Sequence, residues 1–217
     1  MKNKIHVTVK DKTKKKPRSY IDTLKTIYPS CKKDTDDLSQ KYAEHKITYG
    51  EMSYESIELL YKTIVKKHKI KGFLDIGSGR GKLCLYMADK RNIDHSVGIE
   101  LVKERLQTGI CLHKQLKKEF FNIVKKVKFI HANIFDINLE TVFPEKEPLF
   151  VWMSNLCFET DTTNQIFSKL VRELPKNSIV CFSKKPEFLV PGLKEWKTME
   201  INMSWYKKSI VHICIIS

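Results

Sequence analysis

Asp75, Gly77, Gly79, Gly81 and Glu100 are the residues whose types and spacing say most about chemistry in this chain. Residues 73–81 read Phe-Leu-Asp-Ile-Gly-Ser-Gly-Arg-Gly, an apolar run that ends on an acid and passes through three alternating glycines. Glycine accepts positive φ and puts no Cβ between a ligand and the backbone, so this spacing describes a tight strand-to-helix turn that hugs a ligand. A phosphate-cradling loop needs a glycine five residues before its Gly-Lys pair and a hydroxyl residue after it. Ile76 and Leu83 stand there instead. A dinucleotide fingerprint needs glycine where Lys82 stands. The next apolar run, 96–99, closes on Glu100 and sets a second carboxylate beside the turn. Residues alone leave three occupants open: a cofactor that suits two acids, a nucleotide or redox group held by a similar turn, or a purely structural bend.

The elements around these residues follow from apolar periodicity. A helix is expected over 53–67, where Ile57, Leu60, Tyr61 and Ile64 recur at helical spacing behind Ser53 or Thr48 as cap. Further helices are expected over 82–90, 103–125 and 163–172. Strands are expected up to Asp75 and over 95–99, 127–131, 149–153 and 178–182. Two β-rich runs, 200–204 and 209–216, flank Trp205 to Lys208 and form a hairpin signal. The alternation predicts an α/β, Rossmann-like fold: a mostly parallel, doubly wound seven-stranded sheet that ends in an antiparallel hairpin. Ligands of such sheets sit beyond the carboxyl ends of the strands, where Asp75 and Glu100 lie.

The chain has 217 residues and carries a net charge of +15, enough length for one domain with a real core. Residues 1–33 hold eleven lysines and arginines against Asp11 and Asp22, a surplus of nine. Residues 1–33 are therefore expected to be a basic, flexible segment ahead of a folded domain at 34–217. Such a polycation suits nucleic-acid phosphates, with salt-sensitive binding. Residues 12–18, Lys-Thr-Lys-Lys-Lys-Pro-Arg, also read as a nuclear-import signal. The six cysteines form no CxxC pair and no apolar run reaches the ~18 residues of a membrane span, so an intracellular, reducing location, no metal and no membrane contact are expected.

With these residues placed, the chain resembles S-adenosylmethionine (SAM) methyltransferases. In that likeness Asp75 and the glycine turn hold the methionyl part and Glu100 accepts from the ribose hydroxyls. Asn133, closing the run from Val127, reads adenine. The Asn-x-x-Phe spacing of Ser154-Asn155-Leu156-Cys157-Phe158 is similar to the Asn-Pro-Pro-Tyr box of amino-group methyltransferases, without its prolines, which disfavours a DNA-base substrate. Tyr49-Gly50-Glu51-Met52-Ser53, Leu74 to Gly81, Val97 to Glu100, the Asn155 box, Ser183-Lys184-Lys185-Pro186 and Ser204-Trp205 resemble, in order, the disruptor of telomeric silencing family, the non-SET methyltransferases of lysine-79 in histone H3.

That resemblance spans about residues 42–217. It implies a lid at Tyr49 to Glu51 and SAM contacts at Tyr49, Glu51, Asp75, Gly77, Gly79, Lys82, Glu100, Asn133 and Asn155. It also implies a lysine channel lined by Ser154, Asn155, Phe158 and Trp205, and a partner in histone H3 of the nucleosome, in the nucleus. Ser154, Asn133, Lys82 and His212 depart from the family's usual Asn, Asp, Gln and Tyr. Two other readings are a methyltransferase of another basic protein or RNA, and a non-catalytic nucleic-acid-binding module of the same fold.

Overall fold

The computed structural model describes residues 18–31, 42, 49–188 and 190–217. Its helices are α1 (Tyr20–Ile27), α2 (Tyr54–Thr63), α3 (Lys82–Ala88), α4 (Lys103–Lys117), α5 (Phe121–Val124), α6 (Leu139–Val142) and α7 (Thr160–Glu173). Its strands are β1 (Gly72–Ile76), β2 (His95–Glu100), β3 (Val127–His131), β4 (Leu149–Met153), β5 (Ile179–Phe182), β6 (Leu193–Ile201) and β7 (Ser209–Ile216). They make one seven-stranded sheet in the order β3-β2-β1-β4-β5-β7-β6. β1 to β5 run parallel, and β7 lies antiparallel between β5 and β6. This is the expected α/β architecture.

Period-two alternation sorts the central strands between two cores. Phe73, Phe150, Trp152 and Cys181 face one side, with Leu24, Leu60 and Leu85 from α1, α2 and α3. Leu74, Val151, Met153 and Val180 face the other, with Ile166, Phe167 and Leu170 of α7. Covered on both faces, β1 is buried at every residue, which is why its sequence is an apolar run interrupted only by Asp75. The sheet order reverses direction at β1, and the open end of that strand points into the crevice where doubly wound sheets bind ligands.

The structure corrects several sequence expectations. Tyr20, Leu24 and Tyr28, at i, i+4 and i+8, are buried in the core, so residues 20–28 belong to the folded unit and the boundary after Lys33 does not stand for them. Ser19 caps α1 by accepting from the Asp22 N–H, and the Tyr20 hydroxyl donates to Leu85 O at 2.8 Å. Residues 1–17, 32 and 33, which carry nine of the eleven basic residues of that segment, lie outside the described residues. The expected helix 103–125 breaks after Lys117: Phe120 leaves helical geometry at φ −126°, ψ 42° and meets the Tyr20 ring edge-on at 5.3 Å. The penultimate strand is Leu193–Ile201, not 200–204, and residues 202–205 belong to the turn that follows. Its sequence hides it, because β6 is an edge strand with a register shift between Glu195 and Lys197 and mostly exposed side chains.

Candidate functional site

The glycine turn takes the form its spacing demands. Gly77, Gly79 and Gly81 have φ of 78°, 54° and 73°, in the left-handed region that a side chain disfavours. Gly77 N–H and Ser78 N–H both donate to Ile99 O, at 2.9 and 3.0 Å, which folds the turn back over the end of β2. Glu100 completes the fixing: one carboxylate oxygen accepts from Gly79 N–H at 2.6 Å and the other from Val102 N–H at 2.7 Å. Each oxygen keeps further acceptor capacity. Burial raises the Glu100 pKa, and these two N–H bonds and Arg105 work against the rise.

Asp75 has a different environment. It is buried on the side of the sheet that carries α3, and its nearest donor is the Cys84 thiol at 3.9 Å. Burial, then the neighbouring charge of Glu100, pushes its pKa well up. Ser78 Oγ, also buried, has no hydrogen-bond partner among the described residues. A carboxyl group and a hydroxyl left without good partners beside a cavity fit the polar end of a ligand, because burying them alone is costly.

Residues 49–53 lie across this turn as a short strap. Met52 pairs with Met203 as an antiparallel bridge, Ser204 N–H donates to Glu51 O at 2.7 Å, and Glu51 N–H donates to Ser204 Oγ at 3.0 Å. The strap is thereby stitched to the turn between β6 and β7. Trp205 packs directly on Gly50, so closely that a Cβ there would overlap the indole. The Tyr49 ring packs on Gly79 and lies between the guanidinium groups of Arg80 and Arg105, 5.0 and 4.9 Å from its centre. The hydroxyls of Tyr49 and Tyr28 both donate to Glu51 Oε1, the former at 2.7 Å. Lys82 Nζ lies 3.4 Å from Glu51 Oε2 and donates to Met52 O at 2.6 Å.

Two cavities open between strap and sheet. The larger, about 350 Å³, is walled by Glu100, Leu101, Arg105, Asn133, Phe135 and Phe158 among others; the smaller, about 40 Å³, by Asp75, Ser78, Lys82 and Trp152 among others. Tyr49, Gly50, Gly77 and Ser154 line both and so form the junction. An elongated ligand with a flat aromatic ring at one end and a charged group at the other fits the pair. SAM has that form. Asn133 lies on the cavity wall with its side-chain oxygen accepting from Phe135 N–H at 3.2 Å.

Of the expected residues, the structure gathers Tyr49, Glu51, Asp75, Gly77, Lys82, Glu100, Asn133, Ser154 and Phe158 on the cavity walls, with Gly79 under the Tyr49 ring. Asn155 departs from its expected role. It is fully buried, its amide donates to Lys184 O at 2.7 Å, and its oxygen accepts from Ser183 and Lys184 N–H at 3.0 and 2.9 Å. It ties the loop after β4 to the loop after β5 and lines neither cavity. Trp205 supports the strap through Gly50, and His212 sits on β7 opposite Phe182, away from both cavity walls. Sequence reasoning missed Tyr28, Ser78, Arg80, Arg105 and Phe135. Ser78 and Arg80 could have been found, since they occupy the turn itself. Nothing local marks Tyr28, whose partner is 23 residues away.

Comparison with known proteins agrees with this geometry. A structure of an RNA methyltransferase from Salinibacter ruber with S-adenosylhomocysteine is similar with a TM-score of 0.54 at 14% identity, over 76% of this chain and 92% of that one. The O-methyltransferase TomG from Streptomyces achromogenes with SAM is similar with a TM-score of 0.60 at 11% identity, over 93% and 91%. At such identities the likeness establishes the fold alone. Histone-lysine N-methyltransferase, H3 lysine-79 specific, of Drosophila melanogaster is 34% identical over 77 residues, 36% of this chain. The chain matches about 4% of that protein's length. The family model described as histone methylation protein DOT1 matches residues 28–211, from the residue after α1 into the first half of β7. The chain therefore belongs to the DOT1 family of histone methylation proteins, which are SAM-dependent methyltransferases.

Proposed function

We propose that this protein transfers a methyl group to a lysine of histone H3 in the nucleosome, of the lysine-79 type. The observation that carries the reading is the junction of the two cavities at Tyr49, Gly50, Gly77 and Ser154, beside Phe158. When bound, SAM supplies a sulfonium-activated methyl group. Asp75 and Ser78 would take its amino-acid end, because each is a buried polar group in want of a partner. Glu100 would accept from the ribose hydroxyls with the lone pairs left by Gly79 and Val102, and Asn133 and Phe135 would flank the adenine.

The protein's remaining task is to align a neutral amine and exclude water. A lysine ammonium with pKa ~10.4 must lose its proton first, and an apolar wall favours the neutral form. Phe158 and the Tyr49–Gly50 strap supply that wall. Ser154, at the junction, orients the amine in place of Asn155, whose side chain is turned to the backbone of residues 183 and 184 and lines neither cavity. Glu51 is not a free base, since Tyr28, Tyr49 and Lys82 surround its carboxylate.

The family match and the Drosophila relative support a histone substrate, and the basic residues 1–33 suit a partner wrapped in DNA. Methyl transfer from labelled SAM to nucleosomes, free histones and RNA tests the proposal. Label is expected on nucleosomal H3 and lost when its lysine-79 is replaced by arginine. Label on RNA, or on H3 regardless of that replacement, would refute it.

A further inference from the structure

We propose that Tyr28 is a positioning residue: from the end of α1 it latches Glu51, and through Glu51 the Tyr49–Gly50 strap, over the cofactor cavities. The inference rests on the reading that these cavities hold SAM. Tyr28 is the C-cap of α1, its N–H donating to Leu24 O at 2.9 Å, and its side chain is buried with the core. Its hydroxyl donates to Glu51 Oε1, the oxygen that also accepts from Tyr49 at 2.7 Å, and the two phenol oxygens lie 3.5 Å apart. Lys82 Nζ approaches the other oxygen and lies 5.7 Å from the centre of the Tyr28 ring. A single carboxylate therefore joins α1, the strap and the first residue of α3.

The chemistry of this cluster keeps it closed. Tyr28 is buried and Tyr49 half-buried, and burial together with the Glu51 carboxylate raises both phenol pKa values from an already high starting point, so both hydroxyls stay protonated as donors. Hydrogen bonds from a neutral donor to a charged acceptor are stronger than neutral ones. The hairpin side of the strap is held by Met203 and Ser204. Tyr28, the C-cap of α1, holds the opposite side. The strap is thus coupled to a helix that follows the basic residues 1–18 in the sequence. Whatever orders or displaces α1 will change how tightly the cavities are covered.

Tyr28→Phe removes only the hydroxyl. Calorimetry with SAM should show affinity falling about five- to tenfold, and steady-state turnover should show KM for SAM rising with kcat changed less than twofold. Tyr20→Phe, on the same helix but bonded to Leu85 O, should lower thermal stability and leave SAM affinity unchanged. In a Glu51→Gln background the further effect of Tyr28→Phe should shrink to under twofold, because the two residues act as one unit. Hydrogen exchange of the full chain without cofactor gives a readout independent of methyl transfer. Amides 50–52 should open together with those of α1 in the wild type, and faster in Tyr28→Phe. The proposal is overturned if Tyr28→Phe binds SAM as the wild type does. It is equally overturned, should that variant fail to fold, if the wild-type strap exchanges orders of magnitude faster than α1. Loss of histone methylation alone, with SAM affinity intact, would count against the proposed substrate and not against the latch.

Discussion

Gly50→Ala adds one methyl group at the point where strap and hairpin meet, and the structure says where it must go. The new Cβ would overlap Cζ3 and Cε3 of Trp205, and the farthest of the three ring atoms it meets, Cη2, would be 3.0 Å away. No real Cβ tolerates such overlap, so either the indole or the strap must move. Overpacking of this kind costs about 1–3 kcal/mol. Trp205 is 43% exposed and can swing outward, which favours the lower half of that range. Because Gly50 lines both cavities, the cost falls on the closed strap. At about 1.4 kcal/mol per tenfold, SAM affinity should weaken roughly 5- to 30-fold. Calorimetric titration of the folded variant measures this directly. Trp205→Ala in the Gly50→Ala background should recover part of the loss, since it removes the ring that is struck. An unchanged SAM affinity in folded Gly50→Ala, or no recovery in the double variant, would refute a strap held against the hairpin.

Asp75→Asn should stabilise the ligand-free protein and weaken SAM binding. Burial raises the pKa of Asp75 in the folded state above its unfolded value of ~3.9, so its contribution to stability is fully present only below that value and is lost as pH rises through the folded pKa. Urea unfolding from pH 4 to 8 should show the variant's advantage growing with pH; a constant difference would count against it. Asn155→Ala should cost about 2–4 kcal/mol of stability, because two partly buried backbone N–H groups and a carbonyl lose their partner. Ser154→Ala should keep the melting temperature within a few degrees and lower kcat, and the reverse ranking of these two variants would overturn the roles assigned to them. Deleting residues 1–17 should preserve folding and SAM affinity but flatten the salt dependence of nucleosome binding, the slope falling by about 0.9 for each phosphate that is no longer neutralised. Deleting 1–31 should also unfold the chain or halve its urea midpoint, since it strips Tyr20, Leu24 and Tyr28 from the core.

The parallel part of the sheet was legible because its strands are buried on both faces and write themselves as apolar runs between turn residues. Asp75 and Glu100 stood out by the same logic, as acids that end such runs. β6 was displaced because an edge strand that shows its side chains to water carries Lys-Glu-Trp-Lys-Thr, which no alternation rule separates from a loop. α1 was hidden for a different reason. Its stripe of Tyr20, Leu24 and Tyr28 is plain at helical spacing, but a charge count over 1–33 averages it with the polycation that precedes it.

The site shows the same division between local and non-local information. The glycine turn is written in nine consecutive residues and its backbone geometry follows from them, so it could be read outright. Asn155 carries the right residue type at the right place in the chain, yet its amide is satisfied by the backbone of residues 183 and 184, a bond that spacing cannot foresee. Its neighbour Ser154 reaches the cavities instead. Glu51 repeats the lesson in the opposite sense: sequence placed it on the strap, but what fixes it there is Tyr28 from α1, Lys82 from α3 and the Ser204 turn, three segments that meet only in the folded chain. A motif names the residues that can do chemistry, while the hydrogen bonds each one has already made decide which of them remain free to do it.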